Sequence, residues 1–187
     1  MRVVAGELKG QRLVAPRGWQ VRPTSDRARE AIFSALGDVS GVNVLDLYCG
    51  TGALAIEALS RGAARAVLVD NDTRPALGNV ERLGLADRVE LVRSDVPRWL
   101  ATQPAQASSG GAEPEAARFD LIFVDAPYRL ASRVGQELDR HLPGRLASGG
   151  RVIVESGARK PLRIESLECR RRRRYGAADV AFYGERP

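Results

Sequence analysis

Two short motifs hold the residue types best suited to chemistry: Asp46-Leu47-Tyr48-Cys49-Gly50-Thr51-Gly52 and Asp125-Ala126-Pro127-Tyr128. The first is a hydrophobic run ending in an acid and a side-chain-poor turn. Glycines let a backbone approach a ligand closely, and crevices at strand carboxyl ends are where open α/β sheets bind ligands. The third glycine of a dinucleotide fingerprint is missing; Leu54-Ala55 stand there instead. A leading Asp is awkward for a pyrophosphate but suits a cation. S-adenosylmethionine carries an ammonium and a sulfonium, whereas a nicotinamide dinucleotide offers no ammonium to Asp46.

Further acids follow at the expected strand ends. Asp70 comes 18 residues after Gly52, where an acid can hold both ribose hydroxyls, with Asn71 beside it. Asp95-Val96 follow the next strand; Asp95 can accept from an adenine amine while Val96 lies against the ring. One strand-end Asp is commonly a solvated cap. Asp46, Asp70, Asp95 and Asp125 on successive strands point instead to a built site. The cofactor contacts expected are therefore Asp46, Tyr48, Gly50, Gly52, Asp70, Asn71, Asp95 and Val96.

The second motif suits a flat base with an exocyclic amine. The lone pair of such an amine is delocalised into the ring, so acceptors must hold the nitrogen and redirect the lone pair. Asp125 supplies one acceptor and the Ala126 carbonyl a second; Tyr128 can stack on the base. Pro127 fixes its own φ and pushes Ala126 towards an extended conformation. The chemistry left is in-line displacement at a methyl group, driven mainly by positioning. No cysteine stands in this motif, which argues against carbon-5 pyrimidine methylation through a thiolate adduct. Cys49 is expected to pack within the glycine loop.

These motifs need strands and helices to position them. Short β-type runs at 2–5 and 12–15 flank a Gly-containing turn and predict a hairpin. A helix is expected over about 26–36, capped by Thr24 or Ser25, with an apolar face of Ala28, Ala31, Ile32, Ala35 and Leu36, and closed by Gly37. Strands are expected at 42–45, 66–69, 89–92, 119–124 and 151–155, and helices at 53–61, 74–83 and 130–142. Segments at about 166–175 and 178–184 read as a closing hairpin. Alternation of this kind predicts a doubly wound, largely parallel sheet. The low-complexity stretch 104–118 reads as a surface loop.

Composition narrows the function classes. The chain has 187 residues, 44% hydrophobic and 28% charged, enough for one domain with a real core. No apolar run reaches the ~18 residues of a membrane helix, and no signal-peptide pattern opens the chain; a cytoplasmic monomer is expected. Two cysteines and a lone His141, expected at a surface or helix end, give no disulfide framework, metal cluster or His-based triad. A net charge of +6 favours an anionic partner such as nucleic acid. Arg2, Lys9, Arg12, Arg17 and Arg22 cluster around Trp19, a pattern fitted to phosphate contact and base stacking. The run Arg170–Arg174 also suits RNA, but strand alternation divides it between two faces.

Three stretches resemble one bacterial family. Arg2-Val3-Val4-Ala5-Gly6-Glu7-Leu8-Lys9-Gly10-Gln11-Arg12-Leu13 is similar to that family's opening hairpin, and Arg22-Pro23-Thr24-Ser25-Asp26-Arg27-Ala28-Arg29-Glu30 to its most distinctive segment. Leu45–Leu54 with Glu57–Ala63 resembles its cofactor loop and following helix. The family is the class I S-adenosylmethionine-dependent methyltransferases that methylate a guanine N2 of 16S ribosomal RNA. The likeness spans the chain outside 104–118. It implies a Rossmann-like, seven-stranded, mostly parallel sheet with an antiparallel last strand, plus an RNA-contacting N-terminal hairpin (1–23) ahead of the methyltransferase domain (24–187). It implies S-adenosylmethionine near Asp46, Gly50, Gly52, Asp70 and Asp95, and a flipped guanine at Asp125–Tyr128, taken from an assembled or assembling small subunit. The family's motif usually has two prolines; Ala126 replaces the first, so activity is expected from a slightly looser loop that depends more on Pro127. Adenine-N6 methylation of DNA or RNA, and a non-catalytic RNA-binding assembly factor, are the alternatives.

Overall fold

The computed structural model describes residues 1–15, 26–102, 118–126 and 131–186, with side chains of 131–133 left aside. The 104–117 stretch, Thr24 and Ser25 lie outside it. Helix α1 (Asp26–Leu36) opens the domain and ends at Gly37, whose φ is 73°. Its buried face is Ala28, Arg29, Ile32, Phe33 and Leu36. Ala31 and Ala35, expected on that face, are only half-buried. The larger Phe33 sets the rotation by packing on Phe123, with ring centroids 5.7 Å apart.

The sheet then alternates with helices: β1 (Asn43–Leu47), α2 (Ala53–Ser60), β2 (Arg65–Asp70), α3 (Arg74–Arg82), β3 (Val89–Arg93), α4 (Val96–Ala101), β4 (Phe119–Asp125), α5 (Ala131–Arg145), β5 (Leu146–Gly157), β6 (Glu168–Tyr175) and β7 (Ala178–Gly184). The order across the sheet is β3-β2-β1-β4-β5-β7-β6, with β7 antiparallel to both neighbours and the other pairs parallel. This is the predicted seven-stranded, mostly parallel sheet. One core, including Ile32, Phe33, Leu59, Val80 and Phe123, joins α1–α3 to one face. The other, including Val96, Leu100, Leu138, Val124 and Val154, joins α4 and α5 to the opposite face. Burial on both faces explains the mostly apolar β1 and β4.

Three departures from the predicted elements have physical causes. Helix α4 escaped notice because six residues are too short to show a helical period; Asp95 caps it and Pro97 sits in its first turn. Helix α5 passes through Pro143 to Arg145 rather than stopping at 142. Arg145 holds that end, donating to the Thr102 carbonyl and stacking over the Trp99 ring at 4.9 Å. Strand β5 starts five residues early, and its register shift against β4 absorbs the extra residues around Gly149 and Gly150.

The N-terminal hairpin is minimal: one antiparallel bridge, Arg2 with Arg12, framed by Val3 N–H to Gln11 O at 2.9 Å and Leu13 N–H to Met1 O at 3.0 Å. Val3 and Leu13 are nevertheless buried in the α1–α3 core.

Candidate active site

Strand order reverses between β1 and β4, and the site lies at their carboxyl ends. Asp46, near the end of β1, is 1% exposed. Its Oδ2 accepts from the Ala55 amide at 3.1 Å, at the start of α2. Burial pushes its carboxyl up to about 7, against the Ala55 bond and with help from the negative charge of Asp70. Among the described residues no cationic side chain offsets that push.

The loop after β1 is held by backbone bonds. Tyr48 takes φ 62°, unusual for a bulky residue. The Tyr48 and Cys49 amides both donate to Val69 O, at 2.9 and 3.3 Å. This bend aims the Gly50 N–H at Asp70, donating to its Oδ2 at 3.0 Å, while Asp72 N–H, two residues after Asp70, donates to its Oδ1 at 3.1 Å. Each Asp70 oxygen keeps acceptor capacity for a second donor. Gly52 is left-handed at φ 76°, and a Cβ there would come 3.0 Å from Leu68 Cδ2. The Tyr48 hydroxyl is buried with no hydrogen-bond partner among the described residues. Burial chiefly, then Asp95 and Asp70, push the phenol up, so it stays protonated and can donate. An orphaned donor, two acids and a tight glycine turn fit a nucleoside with a cationic tail.

Asp95 is exposed, and its Oδ1 accepts from Arg98 N–H at 3.1 Å as the cap of α4. Oδ2 takes no part in that cap, while the Val96 side chain is 1% exposed and lies in the core beneath. Asn71 is exposed, with its carbonyl accepting from Arg93 Nε at 3.2 Å. Cys49 is buried as expected, and burial, Asp46 and Asp70 push its thiol up, so it is no thiolate nucleophile at neutral pH.

Asp125 ends β4, half-buried, and Ala126 is 3% exposed, packed in the α4–α5 core. Pro127 and Tyr128 lie outside the described residues. Asp46 pairs with Phe123 across β1 and β4, so Asp125 stands two residues further along the same face, diagonal to Asp46. Asp125 itself pairs in register with Glu155 of β5. Asp46 and Asp125 thus stand on one face at the carboxyl ends of adjacent strands. Among the described residues no three His, Cys, Asp or Glu side chains group as a metal site. His141 lies near the end of α5, 3.5 Å from Glu137.

Of the expected RNA contacts, Arg2, Lys9 and Arg12 are exposed on the hairpin; Arg17, Trp19 and Arg22 lie outside the described residues. The sequence reading missed the side chains that fasten the hairpin. Glu57 is 0% exposed and accepts from the Val4 amide at 2.7 Å, the Ala5 amide at 3.0 Å and Arg61 Nε at 2.7 Å. Ser60 Oγ accepts from Leu8 N–H and donates to Ala5 O. Asn79 of α3, 1% exposed, reads Val14 with both ends of its amide: Oδ1 accepts from Val14 N–H at 2.9 Å and Nδ2 donates to Val14 O at 3.0 Å. The same Nδ2 donates to Thr51 O at 3.0 Å, inside the glycine loop. The available signal was polarity out of place: Glu57 and Ser60 stand in the otherwise apolar helix Ala53–Ser60.

A family model described as "Conserved hypothetical protein 95" matches residues 1–184. The chain is similar to "Putative rRNA methyltransferase YlbH" of Bacillus subtilis, 32% identical over the full length of both. It is similar to "Ribosomal RNA small subunit methyltransferase D" of Escherichia coli K12, 32% identical over 69% of this chain and 61% of that protein. Among solved structures, a "Putative methyltransferase yhhF from Escherichia coli" superposes with a TM-score of 0.78 at 28% identity, over 98% of this chain and 96% of the other.

Proposed function

The chain belongs to the conserved hypothetical protein 95 family, and from that membership and the site's geometry we propose that it is an rRNA methyltransferase of the small ribosomal subunit, transferring a methyl group to the N2 of a guanine in 16S rRNA. The observation that carries the reading is the pairing, across the β1–β4 switch point, of the Asp46–Gly52 cradle with Asp125.

S-adenosylmethionine supplies the methyl group from its sulfonium and leaves as the neutral thioether. Asp46 meets the ammonium of its amino-acid tail. Asp70, fixed by two backbone amides, takes the ribose hydroxyls. Asp95, Tyr48, Asn71 and the Val96 backbone surround the remainder of the nucleoside. Asp125 and the Ala126 carbonyl hold the guanine amine so that its lone pair faces the methyl group. As the N–C bond forms, the amine loses one proton, which passes to Asp125 or to solvent. Rate enhancement of this kind is positional. Tyr128 stacks on the flipped base, and Pro127 keeps Ala126 extended. Arg2, Lys9 and Arg12 on the docked hairpin, with Arg17, Trp19 and Arg22 after it, contact the RNA.

Transfer of labelled methyl from S-adenosylmethionine to unmethylated small subunits, naked 16S RNA, tRNA and duplex DNA tests the reading. Small-subunit RNA is the expected acceptor. Labelling of DNA or tRNA alone contradicts it.

A further inference from the structure

Arg170–Arg174 lies on β6, the edge strand, and its arginines divide by face. Arg170 sits 3.4 Å from Glu168 and donates to Glu185 O. Arg172 pairs with Asp179 at 3.3 Å and donates to Leu162 O and the Tyr183 hydroxyl. Arg174 donates to Ala158 O at 2.8 Å. These three tie the edge to its own domain. Arg171 and Arg173 do not. Both are exposed, and neither has an acidic partner among the described residues. Arg171 rests over the Phe182 ring at 6.0 Å, and Arg173 makes one long bond to Arg172 O at 3.5 Å.

Register locates this pair relative to the site. Arg173 pairs with Val180, Val180 with Glu155, and Glu155 with Asp125. Paired residues share a face, so Arg173 stands in the same sheet row and on the same face as Asp125. Three strand spacings separate them, about 14 Å. Arg171 lies one step below, in the row of Phe182, Ile153, Phe123 and Asp46. The N-terminal hairpin is fastened to α2 and α3, on the β1–β3 side of the same face. The site therefore has the basic hairpin on one flank and two uncommitted guanidiniums on the other.

We propose that Arg171 and Arg173 form a second RNA-backbone contact, gripping phosphates of the substrate strand on the side of the target base opposite the hairpin. This rests on the rRNA reading above. Two exposed arginines with no carboxylate partner among the described residues, on the same sheet face as Asp125, match an anionic polymer; their three tied neighbours hold the strand that presents them. The competing role is protection of an open sheet edge, for which exposed charge also serves.

The test measures binding of unmethylated small subunits across a salt series by the wild type, R171A/R173A, R171K/R173K, and R140A as an exposed control on α5. Two lost phosphate contacts reduce the slope of log affinity against log salt by about 1.4 to 1.8, and raise the low-salt Kd about tenfold. The lysine variant, which keeps the charge, binds near wild type, as does R140A. S-adenosylmethionine affinity and melting temperature of R171A/R173A stay at wild type, which separates lost RNA contact from misfolding. Unchanged Kd and salt slope in R171A/R173A overturn the proposal, and self-association of that variant with normal binding assigns the pair to edge protection. Wild-type protein that itself fails to bind subunits overturns the rRNA reading along with this one.

Discussion

Asp46 concentrates the tension in the site. It is buried with no cationic side chain beside it among the described residues, and its carboxyl is pushed up to about 7. Its folded-state value exceeds its unfolded value of 3.8, so the native state binds the proton more tightly between about pH 4 and 7. The resulting stability is fully present below pH 4 and is lost as pH rises through 7, by at most about 4 kcal/mol. Unfolding of the cofactor-free protein by denaturant should therefore show Asp46's contribution falling from pH 5 to pH 8, and Asp46→Asn should remove that slope. The same ionisation should strengthen S-adenosylmethionine binding over that range, with proton uptake or release by calorimetry vanishing in Asp46→Asn and affinity dropping by roughly 2–3 kcal/mol. A pH-independent affinity in the wild type would argue against an Asp46–ammonium contact. At this scale the acids and glycines were legible because strand-end placement follows from pattern. The positive φ of Tyr48 and its orphaned hydroxyl were not, since nothing in a Tyr foretells a left-handed backbone.

At the scale of elements, α2 is the pivot. All eight of its residues are buried, between the sheet and the N-terminal hairpin. Its Glu57 and Ser60 bond the hairpin backbone, while Asn79 of α3 joins Val14 to Thr51 of the glycine loop. Asn79→Ala should leave those buried groups unpaired and cost about 2–3 kcal/mol. It should also weaken S-adenosylmethionine binding, because Thr51 O loses its donor; Asn79→Asp, which cannot donate, should share that second defect. Normal cofactor affinity in both would confine Asn79 to holding the hairpin. Gly6 makes a sharper test. A Cβ there would lie 1.8 Å from Ser60 O, at φ +85°, so Gly6→Ala should detach the hairpin, lowering the melting temperature and RNA affinity more than S-adenosylmethionine affinity. The helix Asp26–Leu36 and the closing hairpin were readable from glycines and periodicity. Helix α4 and the early start of β5 were not, being set by a six-residue span and by a bulge that only the neighbouring strand defines.

For the whole molecule, the N-terminal hairpin packs into the main core through Val3 and Leu13, 2% and 3% exposed. Sequence gives the alternation of its two short runs but not what they pack on. Removal of residues 1–15 should therefore uncover α2 and leave a chain that melts far lower, not a stable catalytic domain; circular dichroism with temperature checks this. A sharp, wild-type-like transition would show the hairpin to be dispensable. The sheet order itself lies beyond pattern, since alternating strands and helices are compatible with several windings; the resemblance implies seven strands with an antiparallel last one, and the structure gives the order 3-2-1-4-5-7-6. That order brings Asp46 and Asp125 together although 79 positions separate them in the chain.

The decisive measurement is the identity of the nucleoside formed when wild type and Asp125→Ala act on unmethylated small subunits with labelled S-adenosylmethionine, followed by digestion and chromatography. N2-methylguanosine from the wild type, with at least a hundredfold (~3 kcal/mol) slower formation by Asp125→Ala, is the predicted result. Labelled N6-methyladenosine, or N2-methylguanosine formed equally well without the Asp125 carboxylate, would contradict the assignment of the β1–β4 crevice as a guanine-N2 methyltransferase site.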